Sequence, residues 1–89
     1  MSNQAKPRPA PAPEPRKLLR ISQAAKGAGV PTQTVEYYIM LGLIDPITRP
    51  PSRSRFFDER LIKRIRLIRE MNESGYTLRE IRTTWMRNR

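Results

Sequence analysis

A chain of 89 residues has room for one domain, and folding at this size buries only about 60% of the unfolded surface, so no enclosed active site is expected. Cysteine and histidine are both absent, which excludes disulfides, thiolate and imidazole chemistry and Cys/His metal sites, and no metal or cofactor is expected. Eighteen Lys and Arg against eight Asp and Glu leave +10, a balance that attracts polyanions, with nucleic acid the leading partner and anionic lipid the rival.

Residues 1–17 carry Pro7, Pro9, Pro11, Pro13 and Pro15 between Lys6, Arg8, Ala10, Ala12, Glu14 and Arg16. Proline at every second position removes the backbone donors of helix and sheet, and nothing large and apolar is present to bury. A disordered Pro/Arg-rich arm is expected, leaning to polyproline II. Three readings of it stand open: a solubilising tail, an arm that reaches phosphates or a minor groove, and a ligand for a proline-binding protein.

The folded unit is expected over residues 18–89. Ser22 can cap a short helix from Gln23 to about Lys26, with Ile21 just outside it and Gly27 and Gly29 ending it. A second helix is expected from about Thr32 to Leu41, with Pro31 in its first turn, Thr32 as its cap and Gly42 as its stop. Two short helices joined by a glycine-containing turn outline a helix-turn-helix. Residues 45–57 follow, with Pro50-Pro51 forbidding a helix and Arg53, Arg55 and Phe57 alternating with Ser54 and Phe56. That period predicts a small two-stranded wing with one cationic face.

Asp58 can cap a third helix, with Phe57 stapled onto Ile62. Its apolar stripe is expected at Leu61, Ile65, Ile68 and Met71, and Gly75 stops it. Thr77-Leu78-Arg79-Glu80 is a capping box for a fourth helix, with Tyr76 and Ile81 as its staple and Leu78, Ile81 and Trp85 as its buried face. The expected fold is mainly α, a winged helix-turn-helix with a two-stranded β wing and two further helices.

The second helix is the candidate reader. Gln33, Glu36, Tyr37 and Met40 fall on one stripe, and Thr32, Gln33 and Thr34 form the N-terminal turn, where side chains and free amides can meet bases and phosphates. Gln33 can pair bidentately with adenine, and Tyr37 can donate to a phosphate. On the wing, Arg49, Arg53 and Arg55 present guanidinium forks suited to phosphate or to a narrow minor groove. The third helix carries Arg60, Lys63, Arg64, Arg66 and Arg69 beside acids, an ordinary mixed-charge face with i,i+4 pairs, of which Arg60 and Lys63 lie nearest the wing. Trp85 is expected in the core, with an oligomer contact as the alternative.

The order of motifs resembles the MerR family of bacterial transcription regulators. It runs Ile21-Ser22-Gln23-Ala24-Ala25-Lys26, Gly29-Val30-Pro31, Thr34-Val35-Glu36-Tyr37-Tyr38, Gly42-Leu43-Ile44, Arg55-Phe56-Phe57 and Gly75-Tyr76-Thr77-Leu78-Arg79-Glu80-Ile81. The resemblance implies operator contacts from Gln33, Thr34, Tyr37 and Tyr38 and a backbone grip by Arg55. Glu36 stands where a basic residue is usual in that family. It can accept from cytosine N4, pair with a nearby arginine, or weaken binding. Ile39 and Met40 are apolar where charges are common, and exposed they would form a small patch for another copy or a protein partner. The long dimerisation helix and effector domain of typical members have no counterpart before Arg89, so no small-molecule effector is expected.

The function these features imply is a transcriptional regulator that binds double-stranded DNA. The alternatives are an excisionase-like or architectural accessory acting by bending or multimer assembly, and an interaction adaptor working through the arm. No enzyme is expected, because the carboxylates are scattered, no Gly-rich phosphate loop follows a strand and no nucleophile has a paired base. No run of the roughly 18 to 20 apolar residues that span a bilayer occurs, nor a signal-peptide pattern, so a cytoplasmic, nucleoid-associated protein without membrane contact is expected.

Overall fold

A computed structural model of the chain describes residues 17–85. The expected arm up to Arg16 and the side chain of Trp85 lie outside the described residues. The elements run α1 (Ile21–Ala28), α2 (Thr32–Met40), β1 (Ile47–Thr48), β2 (Arg55–Phe56), α3 (Glu59–Glu73) and α4 (Leu78–Glu80), which continues as a π-helical turn over Ile81–Trp85. This is the mainly helical, winged architecture that the sequence predicts.

α1 starts earlier than its Ser22 suggests. Arg20 occupies the N-cap with extended backbone, and the Gln23 side chain reaches back to accept from the Arg20 N–H at 3.2 Å. With the chain entry held from Gln23, Ile21 and Ser22 are helical and no hydroxyl cap is needed. Gly27 stays inside the last turn, and Gly29 alone reverses the chain at φ 75°, a left-handed conformation open to glycine. The Val30 N–H then closes back on the Ala25 carbonyl at 3.0 Å.

In α2 the cap also moves by one residue. Pro31, with φ −68° and ψ 153°, takes the N-cap and Thr32 becomes the first helical residue. The Pro31 carbonyl accepts from the Thr34 N–H at 3.0 Å, so the missing side-chain cap is partly made good by the backbone. Gly42 at φ 81° turns the chain out of the helix. Its successors Leu43 and Ile44 drop directly into the core.

The wing is short. Ile47 pairs with Phe56 and Thr48 with Arg55 in antiparallel register. The next residue, Phe57, turns from wing to core: it is fully buried, and its backbone exchanges two hydrogen bonds of 2.8 Å with Leu19. The expected alternation across Arg53, Arg55 and Phe57 therefore covers two environments, a cationic wing and a buried end.

Asp58 caps α3 as predicted, its Oδ1 accepting from the Leu61 N–H at 3.0 Å. The buried stripe is Ile62, Ile65 and Ile68, with Leu61 and Met71 half-buried at its margin. The predicted stripe holds at all four positions, and Ile62, the expected staple partner of Phe57, joins its buried centre. Ala24, Ala25 and Ala28 line the facing side of α1 and let the two helices approach closely. A Cβ at Gly27 would sit 3.5 Å from Ile62 Cγ2, which measures how near they are.

The capping box of α4 is complete: the Glu80 N–H donates to Thr77 Oγ1 at 3.0 Å and the Thr77 N–H to Glu80 Oε1 at 2.8 Å. Ile81 is fully buried as expected, whereas Tyr76, its predicted staple partner, remains 42% exposed. Ile65 is fully buried at the centre of the α3 stripe. Replacing it with alanine should lower unfolding free energy by about 2–5 kcal/mol, read as a lower urea midpoint; an unchanged midpoint would place the core elsewhere.

Candidate nucleic-acid interface

α2 has two faces, and they divide the residues singled out from the sequence. Val35 and Tyr38 point inward and are buried, while Gln33, Glu36, Tyr37 and Met40 are exposed along the outward stripe. Thr32 is also exposed and Thr34 is half-buried. This is the stripe that helical spacing predicts.

Tyr38 does not belong to it. Its side chain is 3% exposed, packed in the core with Val35, and burial pushes its phenol above the usual tyrosine value. Tyr38 follows the buried Val35 by three residues and so falls on the inward face of the helix. The operator contact that the family resemblance implies for Tyr38 thus falls on a side chain that is buried in the free protein. The exposure expected of Ile39 is corrected: the residue is half-buried against the core, leaving Met40, 74% exposed, without the apolar neighbour expected for a patch.

The wing is tied to α2 by an ion pair. Arg55 Nη1 and Nη2 donate to Glu36 Oε1 and Oε2 at 3.1 and 2.9 Å, a fork on a carboxylate. Of the three roles open to Glu36, pairing with a nearby arginine is the one found in the free protein. The hydrogen bonds from Arg55 hold the Glu36 carboxyl below its ordinary value, and the same bonds raise the Arg55 guanidinium further. Arg55 is thus a link between wing and helix as well as a cation on the wing.

Arg49 and Arg53 are exposed in the loop between β1 and β2. Arg60 is 79% exposed with its Nε 3.5 Å from Asp58 Oδ2, and Lys63 is exposed one turn further along α3. Other arginines of α3 hold the fold together. Arg64 Nε donates to the Leu43 carbonyl at 2.9 Å, and Arg66 Nη2 to the Gly27 carbonyl at 3.0 Å. Arg69, bonded to Glu73 at 3.1 Å, makes an i,i+4 pair of the sort expected on this face. Reading the α3 arginines as plain surface therefore missed two tertiary ties, because a carbonyl acceptor leaves no mark in the sequence.

Arg20, the N-cap of α1, also reaches the wing. Its guanidinium lies 4.9 Å from the centre of the Phe56 ring, a cation–π contact at the base of the wing. Among the described residues no group of three or more acidic side chains is placed to hold a metal, and no helix is long and apolar enough to cross a membrane.

The profile of the MerR HTH family regulatory proteins matches residues 19–86, which takes in both helices, the wing, α3 and α4. The chain belongs to the MerR HTH family. It is 37% identical over 62 residues to the mercuric resistance operon regulatory protein of Bacillus cereus, covering 70% of this chain and 47% of that protein. It is 40% identical over 63 residues to the HTH-type transcriptional regulator CueR of Bacillus subtilis, covering 71% of this chain and 43% of that one. The chain thus spans about half the length of the curated MerR relatives it matches.

Two solved structures share the fold. The lead(II) complex of the transcription regulator PbrR691 from Ralstonia metallidurans CH34 superposes with a TM-score of 0.67 at 34% identity, over 72% of this chain and 50% of that one. HiNmlR, a MerR family regulator lacking the sensor domain and bound to promoter DNA, gives a TM-score of 0.67 at 21% identity, over 74% and 50%.

The lowered pKa of Glu36 predicts a pH dependence. A carboxyl whose folded value is lowered contributes stability above its unfolded value of about 4.5 and loses that contribution as pH falls through the lowered value. Carboxyl-detected NMR should give Glu36 a midpoint below the ordinary glutamate range, and Arg55→Ala should return it to that range. An ordinary midpoint in the unsubstituted protein would show that the pair does not persist in solution.

Proposed function

We propose that this protein is a transcriptional regulator that binds duplex DNA with α2 in the major groove and the wing on the adjoining backbone. The observation that carries the proposal is the exposed stripe of Gln33, Glu36, Tyr37 and Met40 on a helix whose other face is buried, with the wing tied to that helix through Arg55. A helix of this kind fits the roughly 12 Å width of the major groove. Membership of the MerR HTH family supports the same reading.

In this proposal the residues divide by chemistry. Thr32 and Thr34 stand in the first turn of α2, where side-chain hydroxyls and the positive end of the helix meet phosphate. Gln33 reads a base edge, its amide matching the N6/N7 pair of adenine. The Tyr37 hydroxyl, on a side chain 49% exposed, donates to a phosphate oxygen. Arg49 and Arg53 of the wing, and Arg60 and Lys63 of α3, supply the cations that replace condensed counterions. Binding between neighbouring copies or to a protein partner would use Met40, the exposed apolar residue of α2.

Two measurements test this reading. Affinity for duplex DNA should fall by about 0.9 log unit per phosphate contact for each log unit of salt, and Arg53→Ala should lower that slope by about one contact for every sequence alike. A salt-independent affinity would remove the phosphate grip. Gln33→Ala should cost on the order of 1–3 kcal/mol at one base pair and relax the preference there, read by selection from a random duplex library. An unaltered preferred motif would show that α2 is not the reading helix.

A further inference from the structure

The outward stripe of α2 carries a carboxylate in a chain of net charge +10. Inside a major groove, bordered on both sides by phosphates, a lone carboxylate would be repelled. Glu36 is not alone. Arg55 donates one hydrogen bond to each of its oxygens, so the pair carries no net charge.

What remains is acceptor capacity. An ionised carboxylate offers about four lone-pair sites, and the fork from Arg55 occupies two of them. The Glu36 side chain keeps 49% of its surface exposed against 37% for Arg55. The pair therefore presents oxygen acceptors from α2, and no donor at all from Glu36. The major groove offers donors in two places only, the N4 amino group of cytosine and the N6 amino group of adenine. Guanine presents N7 and O6 and thymine presents O4, all acceptors that repel a carboxylate oxygen.

We propose that Glu36, neutralised by Arg55, is a specificity-determining residue that requires cytosine or adenine on the contacted strand and rejects guanine and thymine there. The proposal rests on α2 lying in the major groove. It assigns Arg55 a second role, as the positioning and neutralising partner of the base-reading acid. Glu36→Gln tests the chemistry directly, because an amide keeps the size of the side chain but can donate as well as accept.

The experiment is selection from a random duplex library with the full chain, unsubstituted and as E36Q, R55A, R53A and the E36Q/R55A double variant, each first checked for unchanged cooperative melting. The unsubstituted protein should restrict one position, distinct from that of Gln33, to cytosine or adenine. E36Q should admit guanine and thymine there, shrinking the discrimination on the order of 10-fold, and leave the other positions unchanged. R55A should bind every sequence more weakly than R53A does, because it also uncovers the Glu36 charge, and adding E36Q should recover part of that loss. An E36Q protein with the same restricted position overturns the inference while leaving the DNA-binding proposal intact. So does an R55A loss that E36Q fails to relieve. Absence of any sequence preference in the unsubstituted protein overturns both.

Discussion

Phe57 sits where three segments of chain meet. Its side chain is fully buried, its backbone pairs in both directions with Leu19 just ahead of α1, and the next residue, Asp58, caps α3. The wing contributes only two paired residues per strand, far fewer than a hairpin needs to stand by itself in water. Its position is therefore borrowed from its ends. Phe57 anchors one side of the loop in the core, and Leu43 and Ile44, both buried, anchor the other. Between those anchors the Glu36–Arg55 fork and the Arg20–Phe56 contact fasten the wing to α2 and to the start of α1.

The arginines follow a pattern set by helix polarity. The C-terminal end of a helix carries partial negative charge and unpaired carbonyls. Arg66 donates to the Gly27 carbonyl in the last turn of α1, and Arg69 lies close enough to Gly29 that a Cβ there would stand 3.3 Å from its Nη1. Arg82 holds the corresponding place beside Gly42, after the end of α2, where a Cβ would stand 3.3 Å from its Nε. These cations lie beside the negative ends of α1 and α2. The start of α2 has no acidic residue in its first turn, so its amide dipoles stay available to an external anion. The same basic composition thus serves two purposes, and position along the helices separates them.

Most of the element plan was legible because each boundary carried its own chemistry. Asp58, the Thr77–Glu80 box and the glycines at 29, 42 and 75 act through local geometry that spacing alone reveals. α1 starts two residues early and the cap of α2 moves from Thr32 to Pro31, because the Gln23 side chain and the Pro31 backbone take the places expected of the Ser22 and Thr32 hydroxyls. The outward stripe of α2 is visible in its period, whereas the family resemblance, which names Tyr37 and Tyr38 together, carries no sign that Tyr38 is buried. The partners of Glu36, Arg64 and Arg66 lie 19, 21 and 39 residues away, and pairings at that distance depend on how the helices cross. Charge patterning along the chain names the candidates for such pairs and leaves the choice among them to tertiary packing.

The Glu36–Arg55 pair has a different weight in water and at an interface. Both side chains are more than a third exposed, so solvent and salt screen their attraction and the pair adds little to the stability of the free protein. Docking against a polyanion removes water from both groups and strengthens every electrostatic term between them. It also raises the cost of separating them, since an uncompensated acid would then lie in a desolvated, negatively charged groove. A contact that adds little to folding is therefore one whose importance would grow on such docking. On the proposed reading that asymmetry separates a recognition residue from a core one: loss of Ile65 would be felt in the free protein, and loss of Glu36 chiefly against DNA.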